Sequence, residues 1–252
     1  TATGNLSLSC PVTGPGAADR VMLAHGEGGR LMRQLIRARI MPLLDNDFLR
    51  LAGDAAVLPA VGGPLAMTTD SFVVSPLFFP GGDIGSLAVY GTINDLAVAG
   101  ARPRWITLAL ILEEGLEIAV LERVLTSIAA AAARVGVLVV AGDTKVVPRG
   151  AADQLFINTT GIGEVIGTPP AGPQEIEVGD ELIVTGPIGR HGMAVMAARE
   201  GIDFEPPPQS DSAPLVDAVM ALQQAAVPVR ALRDATRGGL GAVLHEWAEA
   251  SG

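Results

Sequence analysis

Residues 135–147 read VGVLVVAGDTKVV, in which a run of branched apolar residues ends abruptly in four residues that can carry chemistry. The apolar run has the length and composition of one buried strand. A charged group inside such a run would lose its hydration without gaining a partner, so polar groups belong at its end. We therefore expect residues 142–145 (GDTK) to form a loop after the strand and to carry functional side chains.

Lys145 is the only lysine in the chain, and arginine supplies every other basic side chain. A compact ammonium and a planar guanidinium are not interchangeable at a binding site. A lysine retained in an arginine-rich sequence therefore suggests that its ammonium is needed. Chance within an arginine-biased composition is the alternative explanation.

The composition is that of a folded, unusually apolar protein with an acidic balance. Hydrophobic residues make up 49% of the 252 residues, and the mean hydropathy is +0.41. This length can bury one large core or two moderate ones, and the apolar surplus suggests a subunit interface, so we expect a homo-oligomer. No apolar run reaches membrane-spanning length without a Gly, Pro or charge. The net charge of −10 argues against a nucleic-acid or anionic-membrane partner.

Residues 1–20 are small, polar and rich in Gly and Pro, and they are expected to form a mobile tail. The tail contains Cys10, the single cysteine, which excludes a disulfide within the chain. No base or cation lies near Cys10 in sequence, so an incidental thiol is favoured over a nucleophile. No secretory signal is visible, and the cytoplasm is the expected compartment.

A glycine-rich stretch, residues 24–29 (AHGEGG), precedes an amphipathic helix predicted over residues 30–44. A glycine-rich loop that opens a helix can present several backbone N–H groups to a phosphate. Gly26, Gly28 and Gly29 are therefore candidate phosphate contacts. A plain flexible entry to the helix explains the same glycines equally well.

Aspartates at the ends or in the middle of apolar elements form a second candidate set. Asp83 is the expected N-cap of a helix predicted over residues 84–99, and Asp95 is embedded in that apolar helix. Asp95 is either held by a local structural bond or is a metal ligand, and we favour the ligand because Asp70 and Asp143 offer two further carboxylates. Scattered aspartates without a His/Cys cluster point to a hard cation such as Mg²⁺ rather than zinc.

The order of predicted elements divides the chain into two domains. Residues 21–167, which begin their sheet with a strand over residues 67–80, are expected to form an α+β domain. The stretch TPPAGPQE at residues 168–175 is typical of a linker. A second domain over residues 176–252 opens with a strand predicted at residues 180–186. Its strands are too few for a closed sheet, so this domain is expected to be incomplete.

Four aspartates, one lysine and several glycine-rich turns together suit a nucleoside triphosphate, with Mg²⁺ on carboxylates and phosphates on N–H groups and Lys145. The fourth aspartate is Asp234. A P-loop is not indicated, because the lysine of residues 142–145 follows the threonine. Among the histidines, His191 in a predicted turn is a site candidate, and His245 on the last helix is expected to be structural.

Six short motifs lie along the chain in a particular order. They are residues 24–29 (AHGEGG), 69–71 (TDS), 76–85 (PLFFPGGDIG), 91–95 (GTIND), 142–147 (GDTKVV) and 233–239 (RDATRGG). In order and spacing these motifs closely resemble the HypE family of hydrogenase maturation factors. That family belongs to the superfamily of aminoimidazole ribonucleotide synthetase and selenophosphate synthetase. Several motifs are long, so the resemblance is specific.

The resemblance implies a two-domain α+β, PurM-like fold that dimerises through the sheets of the first domains. It implies ATP-dependent dehydration of a thiocarboxamide on a C-terminal cysteine to a thiocyanate, whose cyanide is delivered to the iron of NiFe-hydrogenase. The partners implied are a second copy of the chain, the carbamoyltransferase HypF and the HypC–HypD complex. The cofactors implied are ATP and Mg²⁺.

The resemblance also assigns roles to individual residues. Asp95 and Lys145 are predicted to be catalytic, and Mg²⁺ is predicted to bind Asp70, Asp95, Asp143 and Asp234. The predicted nucleotide-binding residues are Gly26, Gly28, Gly29, Gly81, Gly82, Asn94, Asp143, Thr144, Lys145, Thr236, Arg237 and Gly238.

One departure from the family pattern affects the expected activity. The cysteine tail that carries the substrate in this family does not appear in the sequence, and Cys10 lies at the other end. The chain is therefore expected to bind nucleotide without completing the reaction on itself. Two alternatives stay open: another ATP-using enzyme of the superfamily, and a non-catalytic dimerisation and docking module.

Overall fold

A four-stranded sheet with helices on one face organises the first two thirds of the chain. The computed structural model describes residues 19–252, whose strands are β1 (Leu65–Phe72), β2 (Phe78–Phe79), β3 (Gly82–Asp83), β4 (Ala101–Glu113), β5 (Leu138–Val147) and β6 (Leu155–Val165). The sheet order is β1-β6-β4-β5, in which only the β4–β5 pair is parallel, and β2 and β3 form a separate small hairpin. The predicted α+β class is confirmed.

The helices of the described residues are α1 (Arg30–Leu35), α2 (Met41–Leu44), α3 (Asp47–Arg50), α4 (Ile84–Val98), α5 (Ile118–Val135), α6 (Arg190–Glu200), α7 (Val216–Gln224) and α8 (Gly239–Ser251). A π-helical turn, Ile36–Ile40, separates α1 from α2, so the helix predicted over residues 30–44 is interrupted. No helix among residues 19–252 combines the length and the hydropathy that crossing a bilayer requires.

The core lies between the sheet and the pair α4 and α5. Helix α4 is buried on several sides, because most of its residues are apolar or small. Asp83 caps it as predicted, since its Oδ1 accepts from the N–H groups of Gly85 at 2.7 Å and Ser86 at 3.0 Å. Helix α5 is amphipathic and ends at Gly136, whose φ of 72° gives the left-handed C-cap.

The opposite face of the sheet has exposed apolar side chains and no covering layer among residues 19–252. Alternate residues of β1 point away from the helices, and Leu65 and Met67 expose 59% and 73% of their surface. Ile111 on β4, at 40% exposure, lies on the same face. Exposed apolar side chains on a sheet face are typical of an interface.

Residues 166–252, called the C-terminal segment below, contain helices but no strand in the structure. The strand predicted at residues 180–186 is therefore wrong. Its apolar residues are exposed, with Leu182 at 55%, Ile183 at 80% and Val184 at 47%. A strand requires a neighbour for its backbone N–H and C=O groups, and none pairs with this stretch among residues 19–252.

Two further predictions about strands need correction. Residues 142–145 are not a loop, because they continue β5 and pair with β4 up to Val147. The strand predicted over residues 67–80 ends at Phe72, and the hairpin of β2 and β3 follows. Pro76 and Pro80 lack the N–H donor that a continued strand would need.

The predicted mobile tail, including Cys10, lies almost wholly outside the described residues. Its last residue, Arg20, is held in place, because it forms a β-bridge to Glu117 and an ion pair with the same residue at 2.6 Å. Val21, which follows it, is 1% exposed. Arg20 therefore does not belong to a mobile tail.

Candidate active site

Three of the predicted aspartates come from separate segments of the chain and lie near one another. Asp70 is on the face of β1 that packs against α4, Asp95 is on α4, and Asp234 precedes α8 in the C-terminal segment. The Thr68 hydroxyl donates to Oδ2 of Asp95 at 2.8 Å and fixes this carboxylate against β1. Asp234 is 8% exposed, which is unusual for an aspartate.

The carboxylates influence one another electrostatically. Burial, reinforced by the negative charges of Asp95 and Asp70, raises the pKa of Asp234 to about 6. Burial and then the charge of Asp95 also raise the pKa of Asp70, and Arg237 opposes this effect. Carboxylates that lie this close together repel one another. A bound cation would offset this repulsion, so the three carboxylates form a candidate cation site.

These carboxylates fit a divalent hard cation by their chemistry. Mg²⁺ prefers oxygen ligands and is commonly held by one or two carboxylates together with substrate phosphates, rather than by a closed protein cage. Among residues 19–252, no three His, Cys, Asp or Glu side chains are gathered closely enough for one ion. The arrangement therefore suits a cation that is shared with a phosphate ligand.

A second predicted group lies on β5, at the opposite edge of the sheet. Lys145 Nζ and Asp143 Oδ2 are 3.5 Å apart, and both side chains are more than half exposed. Thr144, between them, is only 6% exposed and points to the core face. The backbone of Gly26 packs on Val146, where an added Cβ would be 2.8 Å from the Val146 nitrogen.

The two groups are separated by the width of the sheet. Asp70 is in register with a row across the other three strands, formed by Thr159, Leu108 and Gly142. Three strand spacings of about 4.8 Å place the two edges roughly 14 Å apart. One chain thus brings Asp70, Asp95 and Asp234 together and holds Asp143 and Lys145 apart from them.

The remaining predicted residues fall into three groups. Gly28 and Gly29 have open space where a side chain would be, next to the start of α1. Gly81 and Gly82 belong to the β2–β3 hairpin, where Gly81 approaches Ser210 so closely that a Cβ would be 2.6 Å from its nitrogen. Thr236, Arg237 and Gly238 form the turn before α8, in which the N–H of Gly239 donates to the Thr236 carbonyl.

Asn94, also predicted to bind nucleotide, uses its side chain differently. It is 8% exposed, and its amide is hydrogen-bonded to two backbone groups of the C-terminal segment.

Two further residues with structural roles, Thr68 and Asp211, were not predicted from the sequence. The Asp211 carboxylate accepts from the N–H groups of Arg190 and His191 at 3.0 and 2.8 Å and thereby caps α6 from 20 residues away. Such a distant cap leaves no local sequence signal.

His191 lies where the C-terminal segment meets the β2–β3 hairpin. Its Nδ1 is 3.1 Å from the Ser210 hydroxyl, and its ring packs edge-on against Phe79 with centroids 5.2 Å apart. Burial lowers the pKa of His191, although Asp211 opposes this. These contacts give His191 a packing role between the two parts of the chain.

Two known family models match separate parts of the chain. Residues 52–165 match the family described as AIR synthase related protein, N-terminal domain, and residues 177–252 match AIR synthase related protein, C-terminal domain. The fold and its carboxylate site therefore define a two-domain protein of the AIR synthase-related class.

Individual relatives narrow this class. Carbamoyl dehydratase HypE of Azotobacter vinelandii is 49% identical over 235 residues, which are 92% of this chain and 68% of that protein. A crystal structure of hydrogenase maturation protein HypE in complex with ATP has a TM-score of 0.88 at 47% identity, covering 91% of this chain and 68% of that one. A HypE–HypF complex gives 0.73 at 46% identity, covering 86% and 70%. The chain belongs to the HypE carbamoyl dehydratase family.

Proposed function

We propose that this chain is an ATP-dependent carbamoyl dehydratase of NiFe-hydrogenase maturation, which converts a cysteine thiocarboxamide into a thiocyanate. The observation that carries the proposal is the meeting of Asp70, Asp95 and Asp234, with Asp234 buried and its pKa raised. Crowded carboxylates suit Mg²⁺ bound together with a triphosphate. Family membership and the similarity to an ATP-bound HypE support the same function.

The reaction needs a leaving group and removal of two protons. The carboxamide oxygen attacks the γ-phosphorus of ATP and releases ADP. Phosphate then leaves with that oxygen, the nitrogen loses its protons, and S–C≡N remains. Bound Mg²⁺ would neutralise charge on the phosphates.

The chain's own residues have distinct tasks in this scheme. One or two carboxylates from the set Asp70, Asp95 and Asp234 would hold the metal together with the phosphates, and the Lys145 ammonium would lie beside the phosphates. Gly28 and Gly29, where an added Cβ would meet no atom within 4 Å, would offer their N–H groups to the phosphates and close over the nucleotide.

The separation of the two groups suggests that two copies of the chain build one active site. Lys145 and Asp143 lie on the uncovered face of the sheet, about 14 Å from the edge that carries Asp70. A dimer that joins these uncovered faces would cover Leu65, Met67 and Ile111. Asp70 lies on the opposite face but on the edge strand β1, and we infer that Lys145 of one copy serves the aspartates of its partner copy around this edge.

Other partners follow from the family. A relative forms a HypE–HypF complex, so HypF is the proposed carbamoyl donor for this chain. The HypC–HypD complex is the proposed acceptor of the cyanide. The cytoplasmic location expected from the sequence stays a prediction.

Mixed dimers test the nucleotide site and its division between copies. Mg·ATP binding, measured by calorimetry, should be lost in Asp95→Asn and in Lys145→Ala. If each site takes one residue from each copy, refolding the two variants together in equal amounts should restore about a quarter of the sites. Statistical mixing makes half of the dimers heterodimeric, and each heterodimer has one intact site.

Two results would contradict the proposal. No binding in the mixture would show that both residues act within one copy, and the shared site would be wrong. No binding of Mg·ATP to the unsubstituted protein would favour the docking module over the enzyme. Circular dichroism of each variant serves as the folding control.

A further inference from the structure

The Asn94 side chain joins helix α4 to the C-terminal segment by two hydrogen bonds. Its Nδ2 donates to the carbonyl of Ala213 at 2.9 Å, and its Oδ1 accepts from the N–H of Leu215 at 2.8 Å. The amide thus pairs with the backbone as another strand residue would. Because the group is buried, an unpaired donor or acceptor left by its removal would be costly.

The bonds of Asn94 hold the start of α7, and a second amide holds its end. Gln223, in the last turn of α7, donates through Nε2 to the carbonyl of Gly100 at 3.1 Å. Between the two amides, Val216, Val219 and Met220 are buried. Helix α7 is therefore fixed at both ends against α4 and the turn that follows it.

The two amides differ in what lies beside them. Asn94 is next in sequence to Asp95, whose carboxylate is close to that of Asp234 in the C-terminal segment. Gln223 binds the carbonyl of Gly100, in the turn after α4 and five residues beyond Asp95. Asn94 therefore joins the C-terminal segment to α4 nearer to Asp95 than Gln223 does.

We propose that Asn94 is a positioning residue, which holds the C-terminal segment on α4 so that Asp234 stays beside Asp95. This assignment replaces direct nucleotide contact by Asn94 and rests on the proposed metal–nucleotide function. An aspartate at this position could accept from Leu215 but could not donate to Ala213. Alanine could do neither.

Manganese binding in the presence of ATP tests the proposal, since Mn²⁺ can be followed by electron paramagnetic resonance without turnover. Asn94→Ala should lower Mn²⁺ affinity at least tenfold. Gln223→Ala is the matched control, because it frees the other end of α7, and it should change the affinity less than twofold. Hydrogen exchange at the Leu215 amide should accelerate in Asn94→Ala only.

Each outcome decides the question. Unchanged affinity in Asn94→Ala, or equal losses in both variants, overturns the positioning role and leaves the proposed function intact. Failure of the unsubstituted protein to bind Mn²⁺ with ATP overturns the proposed function and the positioning role with it. If Asn94→Ala does not fold, Asn94→Ser takes its place, and the same comparison with Gln223→Ala applies.

Discussion

At the scale of single residues, the ionised carboxylate of Asp234 lowers the free energy of unfolding of the protein. Its pKa is raised from 3.8 to about 6, so the native state holds a proton that the unfolded chain releases between these values. The free energy of unfolding therefore falls as pH rises through this window. The decrease is complete above pH 6, where Asp234 is ionised in the native state. A shift of two units corresponds to about 3 kcal/mol.

Asp234→Asn should stabilise the ligand-free protein at pH 7.5 by about 1–3 kcal/mol, because the amide removes a buried charge that two other carboxylates repel. At pH 4 the difference should largely vanish, since Asp234 is then protonated. Urea unfolding at both pH values measures this. Asp217→Asn, on the exposed side of α7, is the control and should change stability little at either pH. An equal gain at both values would contradict the argument.

Residue types at the site were predictable, but their partners were not. An aspartate within an apolar helix and another at a strand end indicate a buried polar function whatever the fold. The bonds from Asn94 to residues 213 and 215 cross more than a hundred positions of sequence. The sequence around Asn94 does not show whether its side chain contacts a ligand or links two segments of the chain.

At the scale of secondary-structure elements, helices α4 and α5 are held at close range by a glycine. A Cβ added at Gly85 would be 2.6 Å from the Val124 carbonyl oxygen and 3.1 Å from Ile128 Cγ1. Relief of both contacts would require α5 to move, because one involves the Val124 backbone and the other involves the buried Ile128 side chain. The predicted start of α4 was accurate because its signal, Asp83 before an apolar run, is local.

Gly85→Ala should destabilise the protein by about 1–3 kcal/mol, because overpacking outweighs the better helix propensity of alanine. Chemical denaturation measures the loss. Gly192→Ala on α6 is the matched control, since no neighbouring atom lies within 4 Å of its added Cβ. The control should be neutral or should stabilise by up to about 1 kcal/mol. Equal effects in both helices would disprove the packing explanation.

Strand β5 was harder to predict than α4. Residues 142–145 begin with Gly and Asp, which favour turns when taken alone. In the structure β4 pairs with them throughout, so their backbone groups are satisfied and alternate side chains point outward. The pairing of β5 with β4 therefore outweighs the local preference of these residues for a turn.

At the scale of the whole molecule, the uncovered sheet face exposes apolar side chains that a second copy of the chain would bury. Leu65, Met67 and Ile111 lie on this face without a covering layer among the described residues. Burial of such side chains between two copies would contribute about 25 cal/mol per Å² of apolar surface removed from water. The same contact would bring Lys145 towards a partner copy.

Met67→Asp should convert the proposed dimer to monomer, because it places a charge in the centre of an apolar contact. Sedimentation velocity over a range of protein concentrations measures the change. Met196→Asp on α6 is the control, since Met196 is also exposed, at 44%, but does not belong to the sheet. A Met67→Asp protein that stays dimeric would show that another surface joins the copies.

The family, the α+β class and the kinds of residue that form the site can all be predicted from the amino-acid sequence alone. This is possible because motifs, helix caps and hydrophobic periodicity are properties of short stretches of chain. Which of these residues meet depends on the folded arrangement, which gathers Asp70, Asp95 and Asp234 at one edge of the sheet and places Asp143 and Lys145 at the other. This arrangement depends on the order of the strands and on the packing of α7 against α4, both of which arise from contacts between distant segments.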